Sequence, residues 1–191
     1  GAGASQQIHQ VLASLGCHKP LIITDRMMVE LGYAGRISAV LAEHAIEVDV
    51  FSDTVPEPTV ASIQAGVATA REGGYDSIIA LGGGSPIDSA KAIGILAKFG
   101  GVMRDYKFPR NVTEMGLPII AIPTTAGTGS EVSAASVVTD TENHIKVGIL
   151  SNWLRPSAAV VDPHMTVSGP PKVTADSGID ALTHAIEAYT A

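Results

Sequence analysis

Ser77-Ile78-Ile79-Ala80-Leu81-Gly82-Gly83-Gly84-Ser85-Pro86-Ile87-Asp88-Ser89-Ala90-Lys91 is the stretch that decides the fold. Ser77 to Leu81 is short, apolar and rich in isoleucine, which suits a strand buried on both faces. Glycines follow, and a helical pattern opens directly after them. Ser85 is expected as the N-cap, Pro86 at the first helical position and Asp88 at the third, in a capping-box arrangement. A glycine turn leading into a helix N-terminus aims unpaired N–H groups and the positive end of the helix dipole beyond the strand. A phosphate suits that place, and so does a tight turn without any ligand. The stretch follows neither the Walker pattern nor GxGxxG.

Outward from it, strand-like and helical segments alternate. Ile8, Val11, Leu12 and Leu15 have the spacing of an amphipathic helix closed by Gly16. Leu21 to Asp25 reads as a strand, 34–45 as a helix with Ile37, Val40 and Leu41 inward, and Val48 to Phe51 as the next strand. Pro56-Glu57-Pro58-Thr59 reads as a turn with Thr59 capping a further helix, and Ile119 to Ile122 as another strand. This alternation implies βαβ units and an α/β fold with a mostly parallel sheet. After Glu131 the pattern changes. Val137 to Thr139 and Ile145 to Ile149 suggest a hairpin turning at Asp140-Thr141-Glu142-Asn143, and Ala158 to Val161 a last strand. Pro170-Pro171 precedes a helix that runs to the end of the chain. The expected boundary falls between Pro163 and Pro171, with an α/β domain over 1–165 and the first helical segment of a second domain over 166–191.

Composition narrows the class. Of 191 residues, 46% are hydrophobic but only 4% aromatic, and 20 are glycine, which favours layered α/β structure over an aromatic-rich sandwich. A formal charge of −7 without a Lys/Arg cluster argues against nucleic acid and anionic membranes as partners. No apolar run is long enough for a transmembrane helix, and the N-terminus lacks a signal-peptide pattern, so a cytoplasmic protein is expected. The single cysteine, Cys17, excludes an intramolecular disulfide and reads as packing. Gly1-Ala2-Gly3 is turn-like and Ala191 falls inside a helical pattern, so the chain reads as part of a longer one.

In parallel sheets, ligands bind beyond the carboxyl ends of the strands. Those ends carry Asp25, Gly82-Gly83-Gly84-Ser85 and Pro123-Thr124-Thr125-Ala126-Gly127-Thr128-Gly129-Ser130-Glu131. Hydroxyls beside flexible backbone suit hydrogen bonds to a pyrophosphate or carboxamide, or simply line a polar loop. Asp25 suits the hydroxyls of an adenosine ribose, and equally a helix cap. Near the end, Ile179, Leu182, Ile186 and Tyr189 form one helical stripe and Asp180, His184 and Glu187 another. The i, i+4 spacing lets Asp180 and His184 reach one metal ion, although such a pair often only faces water.

Together these segments resemble the iron-containing (group III) alcohol dehydrogenase family. The resemblance rests on Gly82 to Lys91, Ile122 to Glu131 and Gly178 to Glu187, in the family's order and across most of the chain. It implies a dehydroquinate synthase-like dinucleotide-binding domain followed by the start of an all-helical metal-binding domain. Asp25 would hold the adenosine ribose and favour NAD over NADP, and Gly83, Gly84 and Ser85 would bind the pyrophosphate. Thr124, Thr125 and Thr128, with Ser133 and Lys146, would line the nicotinamide end. Asp180 and His184 would be two of four ligands to Fe2+ or Zn2+, the others being histidines of the helical domain. His9, His18, His44, His144 and His164 fall in no matching motif. Where many members carry Pro-Asn-Pro-Thr, this chain has Pro56-Glu57-Pro58-Thr59, so an amide contact to the cofactor is not expected there.

The activity implied is metal-assisted hydride transfer between an alcohol and an aldehyde or ketone, in a homodimer when full length. A glycerol dehydrogenase or dehydroquinate synthase-like enzyme shares the fold but differs in the Thr124 to Glu131 and Asp180 to Glu187 segments. The remaining alternative is a nucleotide-binding module with negligible turnover of its own.

Overall fold

A computed structural model of the chain describes residues 1–106 and 112–191. Helix α1 (Ile8–Leu15) buries Ile8 and Leu12 and leads into strand β1 (Pro20–Ile23). A short helix α2 (Arg26–Glu30) follows at once, then α3 (Tyr33–Ala42), β2 (Asp49–Phe51) and α4 (Val60–Gly73). Thr59 caps α4 as expected, with Ser62 completing a capping box. Strand β3 (Ser77–Gly82) enters α5 (Gly84–Phe99), and β4 (Ile119–Pro123) ends in the threonine-rich loop.

The sheet order is β2-β1-β3-β4-β7, where β7 is Ala158–Ala159, and every pairing within it is parallel. Its three central strands are buried throughout, and successive residues point to opposite faces. Leu21, Ile23, Ile78, Ala80, Ile119 and Ala121 pack with α4 and α5 on one side. Ile22, Ile79, Leu81, Ile120 and Ile122 pack with α1 and α3 on the other. Each fully buried isoleucine stabilises the sheet by roughly 1.5–3 kcal/mol relative to exposure, so alternation within apolar runs sets the two-sided core. Cys17 is buried as expected, and desolvation pushes its thiol pKa up.

Strands β5 (Ala135–Asp140) and β6 (Ile145–Leu150) pair antiparallel, forming the hairpin that the Asp140-to-Asn143 turn suggests. Val138, Val147 and Ile149 turn inward against the α5 side of the core. Strand β7 is shorter than the expected 158–161, and Asp162 then leaves the sheet to accept hydrogen bonds from residues near the chain start. Helix α6 (Pro171–Thr190) carries proline at its start and buries none of its residues. Among the described residues no helix is long and apolar enough to cross a membrane.

The start of α5 corrects the sequence expectation. Its N-cap is Gly83, without a side-chain cap, so Ser85 and Pro86 each sit two positions deeper in the helix than expected. Asp88 forms no capping box. Its carboxylate turns across the helix, accepting from the Val137 N–H at 3.1 Å and lying 3.7 Å from the Lys91 ammonium. The Val137 N–H and the charge of a buried cation one turn away draw the carboxylate off the helix start, while Oδ1 makes no hydrogen bond among the described residues.

Candidate functional site

The carboxyl ends of β1, β3 and β4 open onto one cleft of about 880 Å³. Asp25, Gly83, Gly84, Ser85, Thr124 and Thr125 all line it, as the sequence reading required. The strand ends are fixed by hydroxyl bonds, Thr24 Oγ1 donating to the Leu81 carbonyl and Thr54 Oγ1 to the Thr24 carbonyl, each at 2.8 Å. Asp25 caps α2, its Oδ1 accepting from the Met28 N–H at 2.9 Å. The capping role is therefore realised by one oxygen, while Oδ2 makes no hydrogen bond among the described residues.

Gly83 and Gly84 form a cradle that side chains would fill. A Cβ on Gly83 would lie 3.2 Å from Thr125 Oγ1 and Cγ2, and one on Gly84 3.3 Å from Thr128 Cγ2. The free N–H groups of the first turn of α5 sit at this cradle, together with the positive end of its dipole. Thr125 Oγ1 is shielded from solvent and has no hydrogen-bond partner among the described residues. A buried hydroxyl without a partner costs about 1–3 kcal/mol, so a donor or acceptor is missing here. The hydroxyl and the glycine cradle fit an oxygen-rich anion.

Thr128, Ser133 and Lys146 lie outside this cleft. Thr128 Oγ1 accepts from the Ser130 N–H at 3.3 Å, and Lys146 Nζ stands 3.3 Å from the exposed Glu57 carboxylate. Ser133 Oγ accepts from Lys91 Nζ at 2.9 Å. Lys91 carried no assigned role in the sequence reading. A lysine within the run Ala90-Lys91-Ala92-Ile93, three residues after an aspartate, was the signal. Burial pushes its pKa down and pushes that of Asp88 up, each opposed by the charge of the other.

Asp180 and His184 meet as the i, i+4 spacing requires, Oδ1 to Nε2 being 3.7 Å, and both are about half exposed. Further along the same face of α6 stands Ser177, three residues before Asp180 and seven before His184. The backbone there meets the threonine loop closely: a Cβ on Gly127 would lie 2.1 Å from the Ser177 carbonyl oxygen. Val173, one turn earlier, lines the cleft itself. The helix face carrying the Asp180–His184 pair is therefore the one that abuts the threonine loop. Among the described residues no group of three or more His, Cys, Asp or Glu converges as a metal site.

The sequence profile described as iron-containing alcohol dehydrogenase matches residues 1–163. The chain belongs to that family. The Long-chain-alcohol dehydrogenase 1 of Geobacillus thermodenitrificans (strain NG80-2) is 42% identical, the match covering 99% of this chain and 48% of the relative. The NAD-dependent methanol dehydrogenase of Bacillus methanolicus is 36% identical over 100% of this chain and 50% of its own length. The chain thus spans about half the length of the curated relatives it matches. Among solved structures, a 1,3-propanediol oxidoreductase superposes with a TM-score of 0.95 at 38% identity, covering 99% of this chain and 50% of that one. The sulfoacetaldehyde reductase from Bifidobacterium kashiwanohense, solved in complex with NAD+, gives 0.91 at 36% identity, covering 98% and 50%. These likenesses fit the mostly parallel, helix-flanked sheet found here.

Proposed function

We propose that this chain is the dinucleotide-binding part of an NAD-linked, metal-dependent oxidoreductase that interconverts an alcohol with an aldehyde or ketone. The observation that carries the reading is the unpartnered Thr125 hydroxyl beside the Gly83–Gly84 cradle at the mouth of β3 and β4. Backbone N–H groups at the start of α5 hold the pyrophosphate, and Thr125 Oγ1 donates to it. Asp25 accepts from the ribose hydroxyls through the oxygen that its helix cap leaves open. Thr124 continues the wall toward the nicotinamide side, with Thr128, Ser133 and Lys146 on the segments beyond. The parallel sheet, the family membership and a relative described as NAD-dependent support NAD as the partner.

Asp180 and His184 offer one carboxylate and one imidazole, a donor set that suits Fe2+ or Zn2+ and leaves positions for further ligands. When bound, the nicotinamide ring supplies a hydride acceptor and the divalent ion supplies Lewis acidity toward the substrate oxygen. The Gly127–Ser177 contact fixes the helix bearing the metal pair against the threonine loop, so the two chemistries are held at a set separation. A small alcohol or carbonyl compound is the substrate class, in keeping with the names of the relatives.

Thr125→Val tests the reading. The hydroxyl makes no hydrogen bond among the described residues, so its loss should leave the thermal midpoint unchanged or slightly raised. NADH affinity, read by cofactor fluorescence, should fall about tenfold. Equal affinity in the variant and the parent would overturn the assignment of this hydroxyl to the cofactor.

A further inference from the structure

The same cleft holds a pair of charges that the activity does not use. Arg26 opens α2 directly after Asp25, and its Nε and Nη2 both donate to Asp53 Oδ1, at 3.2 and 2.8 Å. Asp25, Arg26 and Asp53 line the cleft together. Both members of the pair are largely exposed, with 79% and 59% of their side-chain surface open, so solvent screens the bond and little energy resists its opening.

We propose that Asp53 is a cofactor-specificity residue, acting by occupying the Arg26 guanidinium at the rim of the ribose pocket. This rests on the dinucleotide reading given above. A ribose held by Asp25 presents its 2′ position to the start of α2. A 2′-phosphate there adds a charge of about −1.5 to −2 beside two carboxylates and a single guanidinium already neutralised by one of them. The guanidinium is the group best shaped to bind that phosphate, through paired N–H donors, and Asp53 engages two of those donors. Exclusion of NADP is thus shared: Asp25 repels the phosphate, and Asp53 withholds its natural counter-ion.

The test titrates NAD and NADP calorimetrically into the chain, its Asp53→Asn variant and the double variant Asp53→Asn/Arg26→Ala. The ratio of NADP to NAD affinity is expected to rise about fivefold in Asp53→Asn, a gain that shrinks as salt is raised. The gain should vanish in the double variant, because it depends on the released guanidinium. An unchanged ratio in Asp53→Asn, or a gain that survives without Arg26, would overturn the proposal while NAD binding itself persists. Failure of the folded parent to bind either dinucleotide would instead overturn the dinucleotide reading, and this proposal with it.

Discussion

Lys91 Nζ donates to the Ser133 hydroxyl at 2.9 Å from a side chain with no solvent exposure. It also donates to the Ser133 and Ala135 carbonyls, at 3.1 and 2.8 Å, so its three protons are all engaged. Asp88, one turn earlier on α5, supplies the counter-charge at 3.7 Å and takes the Val137 N–H. The helix that begins at the glycine cradle is thereby tied to the chain entering β5. The helix proposed to hold the pyrophosphate and the segment proposed for the nicotinamide end are joined by one buried ion.

Lys91→Met should therefore destabilise the chain by about 3 kcal/mol, because it strands the Asp88 carboxylate and several carbonyls in the interior. Urea denaturation measures this. Asp88→Asn combined with Lys91→Met should lose less than the sum of the single losses, since no lone charge then remains buried. A loss below about 1 kcal/mol for Lys91→Met would contradict the bracing role.

Gly127→Ala should separate α6 from the threonine loop. Its Cβ would sit 2.1 Å from the Ser177 carbonyl oxygen, and backbone on both sides leaves no side chain to give way. The expected outcome is faster amide exchange in the first turns of α6, with a stability loss of about 1–3 kcal/mol. Unaltered exchange there would show that the contact fixes nothing.

The sheet was legible because the apolar runs at Leu21, Ser77 and Ile119 are each followed by polar or glycine residues, and that punctuation marks strand ends in a parallel fold. The cleft residues Asp25, Gly83, Gly84, Ser85, Thr124 and Thr125 were legible for the same reason. The cap of α5 was misread because Asp88 satisfies a local pattern, whereas a long-range pair with Lys91 and β5 decides its direction. Short α2 carries no periodicity over its five residues, so the Arg26–Asp53 pair was invisible. The contact between Gly127 and Ser177 joins residues 50 apart in the chain, and nothing local announces it.

Acid should act partly through Asp162. Burial alone would raise its pKa, but the Ser5 hydroxyl and N–H, with the His164 and Gly3 N–H groups, hold the carboxyl at about 2. A depressed carboxyl stabilises the folded state fully above its ordinary pKa, and that contribution is lost as pH falls through the folded value. Asp162→Asn should thus lower the melting temperature at neutral pH and flatten its decline between about pH 4 and pH 2. Parallel acid profiles for variant and parent would count against this clasp.

Asp180→Ala and His184→Ala should each weaken Zn2+ or Co2+ binding, followed with the metal alone by calorimetry or cobalt absorbance. Because α6 buries none of its residues, neither change should shift the thermal midpoint in the absence of metal. Metal affinity equal to the parent in both variants would remove the pair from the metal site.

The most direct test of the central claim is calorimetric titration of NAD into the chain and its Gly84→Val variant, with circular dichroism to verify that both are folded. The side chain added at residue 84 would crowd Thr128 and Ser130 beside the glycine turn. Clear binding to the parent and none to the folded variant is the result expected. Equal binding by both, or no binding by the folded parent, would contradict the assignment of the glycine turn to a dinucleotide.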